Sequence, residues 1–227
     1  MTKIERHNGN WATSLKKIAD AKQGRASVAK VLSERVRQGF FADICQDGCF
    51  GVASFNEVNG RILATREEFN PLINYSDQVV KSMLGGEFYL TDEIKFGAKP
   101  YTQILEEIAD EDRKLSIGKR RVIDLGKIKT QDVPTDCFGD DETIAFLAEG
   151  KRNAKKYGLF LRNKIPEESR LNQITEYHQN LIGKNKSTGL WLFGLVGSFS
   201  SGFSCDGGGI GYDGGSLFGG MRRRDSV

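Results

Sequence analysis

Between Gly189 and Gly220, twelve of 32 residues are glycine. No long regular helix runs through such a segment, because each internal glycine costs ~1 kcal/mol relative to alanine. It is not a solvated linker either. It carries Leu190, Trp191, Leu192, Phe193, Leu195, Val196, Phe199, Phe203, Ile210, Tyr212, Leu217 and Phe218, and flexible Gly/Ser linkers have no such residues. A membrane span needs ~20 consecutive apolar residues, and this run is shorter and interrupted by Gly and Ser. Residues 187–227 are therefore expected to form an ordered Gly/aromatic-rich extension. It would dock on the parent fold or on another subunit, with Trp191, Phe193, Phe199, Phe203, Tyr212 and Phe218 as its contact residues.

The other 186 residues read as a single α+β globular domain, whose basic N-terminal helical part covers about 10–48. Of the 227 residues, 38% are apolar and 28% charged, enough to bury a core without metal or disulfide staples. Asn10 is placed to cap a helix in which Trp11, Leu15, Ile18 and Ala19 share a face. The run weakens at Gly24 and resumes with Val28, Val31, Leu32 and Val36. Asn59-Gly60 lies between two apolar runs and predicts a hairpin with strands at about 50–57 and 61–67. Ser76 caps a short helix ending at Gly85-Gly86, and residues 87–91 read as a strand. Pro100 opens a helix bearing Tyr101, Ile104, Leu105 and Ile108. Arg121–Ile128 reads as a strand. Asp140 is the expected cap of one helix from Asp141 to Tyr157, followed by a strand at 158–162. A helix from Pro166 carries Leu171, Ile174, His178, Leu181 and Ile182.

Charge is segregated along the chain. Residues 1–38 hold nine basic and three acidic groups, and 39–112 hold five and fourteen. Residues 113–131 hold seven basic and one acidic, 132–150 hold six acidic and no basic, and 151–186 hold nine basic and three acidic. Such blocks either compensate one another within the fold or gather like charges on one face for a partner. Compensation is the expectation. Under the alternative, the blocks 1–38, 113–131 and 151–186 bind nucleic acid non-specifically through Arg113, Lys114, Lys119, Arg120, Arg121, Lys127, Lys129, Lys151, Arg152, Lys155 and Lys156.

Motifs for common chemistries are missing. The sequence has no Walker loop, no G-x-S-x-G elbow and no H-E-x-x-H. It has two histidines, His7 and His178, and four cysteines, of which only Cys45 and Cys49 are close. A C-x3-C pair is at most half a zinc site, so reduced structural thiols are expected. One loose pattern remains. Asp136, followed by Glu149-x-Lys151, matches the carboxylates and lysine of Mg²⁺-dependent nucleases. That chemistry needs Glu149 and Lys151 on one face of a strand, whereas a helix through them sets them about 200° apart.

The leading expectation is a non-enzymatic assembly or interaction protein, structural and of viral or mobile-element type, that works with a protein partner or as a homo-oligomer and needs no cofactor. The N-terminus lacks the apolar core of a signal peptide and no transmembrane segment is seen, which suggests a cytoplasmic protein, or one within a virion if the chain is viral. The alternatives are nucleic-acid binding through the basic blocks and a Mg²⁺-dependent nuclease at Asp136, Glu149 and Lys151.

Overall fold

The computed structural model describes residues 4–46, 48–66, 69–74, 88–126, 132–163, 171–173, 186–192, 203–204 and 216–220. The helix expected after Ser76, Lys127, Lys129, His178, Phe193, Phe199, Cys205, Tyr212 and the terminal arginines lie outside them.

Strand β1 (Ile4–Asn8) leads into α1 (Trp11–Asp20). Asn10 caps this helix as its sequence implies, its Oδ1 accepting the Thr13 N–H at 2.9 Å. Trp11, Leu15 and Ile18 are buried. The chain turns at Lys22, with φ of 53°. It then passes through β2 (Gly24–Arg25) and begins α2 (Val28–Gln38), where the Ser27 hydroxyl accepts the Lys30 N–H at 3.3 Å. Gly39, at φ 91°, ends α2, and the short α3 (Asp43–Gln46) follows.

The hairpin is β3 (Cys49–Val58) and β4 (Arg61–Arg66), with Val58 opposite Arg61. Asn59 and Gly60 have φ of 51° and 80°, both positive as a type I′ turn requires. Its side chains alternate between two cores. Ala53, Phe55, Ile62 and Ala64 meet Val31, Leu32, Phe146 and Tyr157. Val52, Val58 and Leu63 meet Trp11, Leu15, Tyr101 and Leu105. Helices cover both faces of this sheet, which explains why its strands are almost continuously buried.

Further along the chain come α4 (Pro71–Asn74), β5 (Phe88–Tyr89), and a small hairpin of β6 (Lys95–Phe96) and β7 (Lys99–Pro100). Pro100, at φ −55°, starts α5 (Tyr101–Asp112). Carboxylates at the end of a helix oppose its dipole, and the fold gives Asp112 another task. It is buried and accepts the Arg121 N–H at 2.6 Å, the Val122 N–H at 3.0 Å and the Arg121 guanidinium at 3.0 Å. This pins β8 (Val122–Asp124) to the helix. The strand expected over 121–128 is shorter than its sequence suggests, since the backbone turns at Gly126 with φ 62°.

Between residues 140 and 182 the structure departs from four expectations. After β9 (Asp132–Pro134) and a 3-10 turn, Thr135–Cys137, the helix expected over 141–157 is two helices, α6 (Glu142–Leu147) and α7 (Lys151–Arg162). Glu149 and Gly150 separate them at φ 58° and 140°. The cap is Asp141 rather than Asp140, its Oδ1 accepting the Ile144 N–H at 2.8 Å. Residues 158–162, expected as a strand, complete α7. They carry a helical stripe in which Ala154, Tyr157 and Leu161 are buried, and β-rich composition yields to that packing. Finally, residues 171–173 form β10 (Leu171–Gln173), paired antiparallel with β9, and not the middle of a helix.

The described C-terminal strands are β11 (Lys186–Leu192), β12 (Phe203–Ser204) and β13 (Ser216–Gly220). The main sheet runs β12-β11-β3-β4-β8, with β5 also on β11. A second sheet, β1-β13-β2, brings both ends of the chain together. All these pairings are antiparallel. The architecture is α+β. A buried polar cluster locks β11 in register. The Ser187 hydroxyl donates to Asn56 Oδ1 at 2.6 Å, Asn56 Nδ2 donates to the Leu63 carbonyl at 3.0 Å, and Ser54 and Thr65 share a hydrogen bond of 2.7 Å.

Candidate interaction surface

The turn from α2 to α3 is built of Gly39-Phe40-Phe41-Ala42. Gly39 lets the backbone leave α2 sharply, and its N–H donates to the Arg35 carbonyl at 3.0 Å. Phe40 and Phe41 meet edge to face, with ring centroids 5.3 Å apart. Phe40 packs toward the core, but Phe41 is 83% exposed. Single exposed apolar residues are common. This one is set beside an open groove. Arg37 and Gln38 from the end of α2, with Ala42, Asp43 and Ile44, form one wall. Ile4 and Arg6 of β1 and Phe218 of β13 form the other, around a space of about 700 Å³. Glu34 fixes the rim, accepting from Arg37 Nε at 2.7 Å and from Gln38 Nε2 at 3.3 Å. Burial acts to raise the Glu34 pKa, but Arg37, Gln38 and Lys30 outweigh it and hold the carboxyl below its usual range.

Behind Ile44 lies a buried guanidinium. Arg35 donates to the Ile44 carbonyl at 3.0 Å, to the Tyr157 hydroxyl at 3.1 Å and to Cys49 Sγ at 3.6 Å. Cys45 Sγ reaches the Arg35 carbonyl at 3.8 Å. Burial drives the Cys45 pKa from 9.0 up to about 11 against the pull of Arg35, and it raises Cys49 and Tyr157 as well. Both thiols thus stay protonated near neutrality. The pair that resembled half a zinc site is a wall around Arg35.

A second surface is the outer side of α7. Lys151, Arg152, Lys155, Lys156 and Arg162 are all exposed. Among the described residues, none of the five has an ion-pair partner. Three neighbouring acids are engaged elsewhere, while Asp136 and Asp140 stay exposed, the latter next to Gly139, which packs on Lys155. Asp141 caps α6, and Glu142 pairs with Arg120. Glu149 accepts the Ala29 N–H at the start of α2, at 3.3 Å. Compensation does operate in the 113–131 block, where Arg121 pairs with Asp112. Lys114 and Lys119 are exposed, as is Arg113.

The sequence-derived residues divide as follows. Phe218 is only 4% exposed and belongs to the core of this chain as well as to the groove. Trp191 stands in β11, opposite Phe50, and Phe203 stands in β12, opposite Leu192. Asp136 lies in the 3-10 turn and is exposed, Glu149 caps α2, and Lys151 is exposed on the first turn of α7. No cluster of three or more His, Cys, Asp or Glu side chains able to hold a metal occurs among the described residues. Phe41 escaped the sequence reading. Its one signal was the pair Phe40-Phe41 directly after Gly39, where the helical stripe needs no second aromatic.

No protein-family model and no curated protein matches this sequence. A solved structure described as "Accommodation of massive sequence variation in Nanoarchaeota by the C-type lectin fold" is similar, with a TM-score of 0.61. The likeness covers 97% of this chain and 96% of that one, at 10% identity. Over nearly its whole length, the chain has a C-type lectin-like fold.

Proposed function

We propose that this chain is a non-enzymatic recognition protein that engages a protein partner through Phe41 with the adjoining groove, and through the aromatic-rich segment 193–215. The observation that carries the reading is Phe41 itself, a large aromatic at 83% exposure on a glycine-hinged turn, next to Ala42 in the wall of a groove of mixed apolar and charged lining. Aromatic anchors surrounded by a polar rim are the usual energetic centres of protein interfaces. Here Arg6, Arg37, Gln38 and Asp43 supply the rim. The similar structure is described as accommodating massive sequence variation, and the same division of labour fits this chain. Strands β11, β12 and β13 belong to the two sheets, and we read the sequence segment 193–215 as the part that sets specificity. Phe193, Phe199 and Tyr212 belong to this segment.

Panning a random peptide library against the immobilised chain tests the reading. Peptides are expected to be enriched whose binding falls at least ~10-fold with Phe41→Ser, the cost of losing one aromatic anchor. Enrichment of nothing, or only of peptides indifferent to Phe41→Ser, would overturn it.

A further inference from the structure

We propose that the outer face of α7 is a docking surface for the phosphate backbone of a nucleic-acid duplex, separate from the Phe41 groove. Lys151 and Lys155, and likewise Arg152 and Lys156, are one turn apart. Each pair spans ~6 Å of helix axis and the two pairs lie ~100° apart around it, so the four cations form a short two-row band, whose Lys151/Lys155 row Arg162 extends. No acid lies on α7, and none of the described acids is bonded to these side chains. The band is continued on one side. The 3-10 turn Ile117–Lys119 abuts the start of α7, since a Cβ on Gly118 would lie 3.5 Å from the Glu149 carbonyl oxygen. Exposed Lys119 therefore lies near the first turn. On the other flank, Asn153 and Lys156 share a shallow cleft with Ala29 and Ser33 of α2.

The chemistry of the face selects its partner. Leu159, 44% exposed, is the one exposed large apolar side chain on α7, and Phe160 is partly buried, stacked on Tyr157 at 6.1 Å. A protein interface needs apolar anchors and is depleted in lysine, and this face has the opposite make-up. A membrane-lying helix inserts its apolar side, and that side of α7 is occupied by the core through Ala154, Tyr157, Gly158 and Leu161. A single-strand site stacks bases on exposed aromatics, and α7 exposes none. Cations alone suffice only for a polyelectrolyte, where released counterions supply the affinity.

The test is fluorescence anisotropy of a labelled 20-base-pair duplex with the full chain between 50 and 200 mM salt. The wild-type chain is expected to bind with a log–log salt slope of roughly −3 to −4, at about −0.9 per phosphate contact. The variant Lys151→Gln/Lys155→Gln/Lys156→Gln is expected to lose about 2 to 3 of that slope. The equally neutralised Lys16→Gln/Lys22→Gln/Lys95→Gln is expected to keep it. Thermal melts check that each variant folds. If the first triple does not fold, Lys151→Gln alone is expected to reduce the slope by ~1. The proposal is overturned by absence of binding at 50 mM salt, or by equal losses in the two triples. It is equally overturned if polyglutamate, or phosphatidylserine vesicles, displace the duplex as well as unlabelled duplex does.

Discussion

At Gly158 the absence of a side chain sets how closely two elements meet. It lies within α7, where alanine would favour the helix by ~1 kcal/mol. A Cβ there would stand 1.9 Å from the Thr135 carbonyl oxygen, which belongs to the 3-10 turn packed on α7. That contact is with backbone, so no flexible side chain can swing away. Forced overpacking costs ~1–3 kcal/mol, more than the helix preference returns. Gly158→Ala is therefore expected to lower the melting temperature by ~2–8 °C, given ~2–4 °C per kcal/mol for a chain of this size. A melt at or above the wild-type temperature would show that the turn does not press on the helix. The same close packing buries Tyr157 against Arg35, one residue away.

Among the elements, β11 depends most on a few polar atoms. It enters the main sheet between β12 and β3, and its pairing with β3 slips at Gly189/Leu190. That shift is of two residues and keeps the faces of the strand, whereas a one-residue slip would exchange them, so something must fix the register on the Ser187 side. Asn56 does this by bonding Ser187 across the strands and the Leu63 carbonyl along the hairpin. Asn56→Ala leaves the buried Ser187 hydroxyl without that acceptor, at a cost of ~1–3 kcal/mol. Hydrogen exchange is expected to accelerate in β11 first, before β4 and β8. Uniform acceleration across the sheet would mean that Asn56 supports general stability and not this register.

For the whole molecule, the pairing of β1 with β13 and of β3 with β11 makes the fold strongly non-local. Ile4 lies opposite Gly220, and Ser187 opposite Asn56. A chain truncated after Lys186 lacks nearly all of β11, with β12 and β13, so β3 keeps β4 but loses its partner on the other edge, and β1 and β2 lose theirs. Unpaired edges on a buried sheet leave many donors and acceptors unsatisfied. The truncated protein is expected to lose its cooperative thermal transition, read by circular dichroism at 222 nm. A retained sharp melt would show that residues 1–186 fold alone.

Sequence alone determined the features that depend on neighbours along the chain. Asn10 caps α1 because its side chain reaches Thr13, three residues on. Asn59-Gly60 turns the hairpin because both residues tolerate positive φ. The apolar stripes of α1, α2 and α5 were legible for the same reason, since helical periodicity is local. Tertiary structure decided the rest. Charge and caps along 141–157 fit one helix, but the break at Glu149 and Gly150 seats the Glu149 carboxylate on the N-terminus of α2, 120 residues away. The acids of 132–150 resembled counter-charges for α7, yet helix caps and Arg120 engage three of them, and none of the described acids is bonded to the α7 cations. Phe218 and Phe41 are both phenylalanines close to a glycine. Pairing with β1 buries the first, and a helix end projects the second into water. Local rules fix which conformations a segment prefers. Which surfaces those segments then cover or leave open depends on contacts between residues far apart in the chain, and no periodicity encodes those.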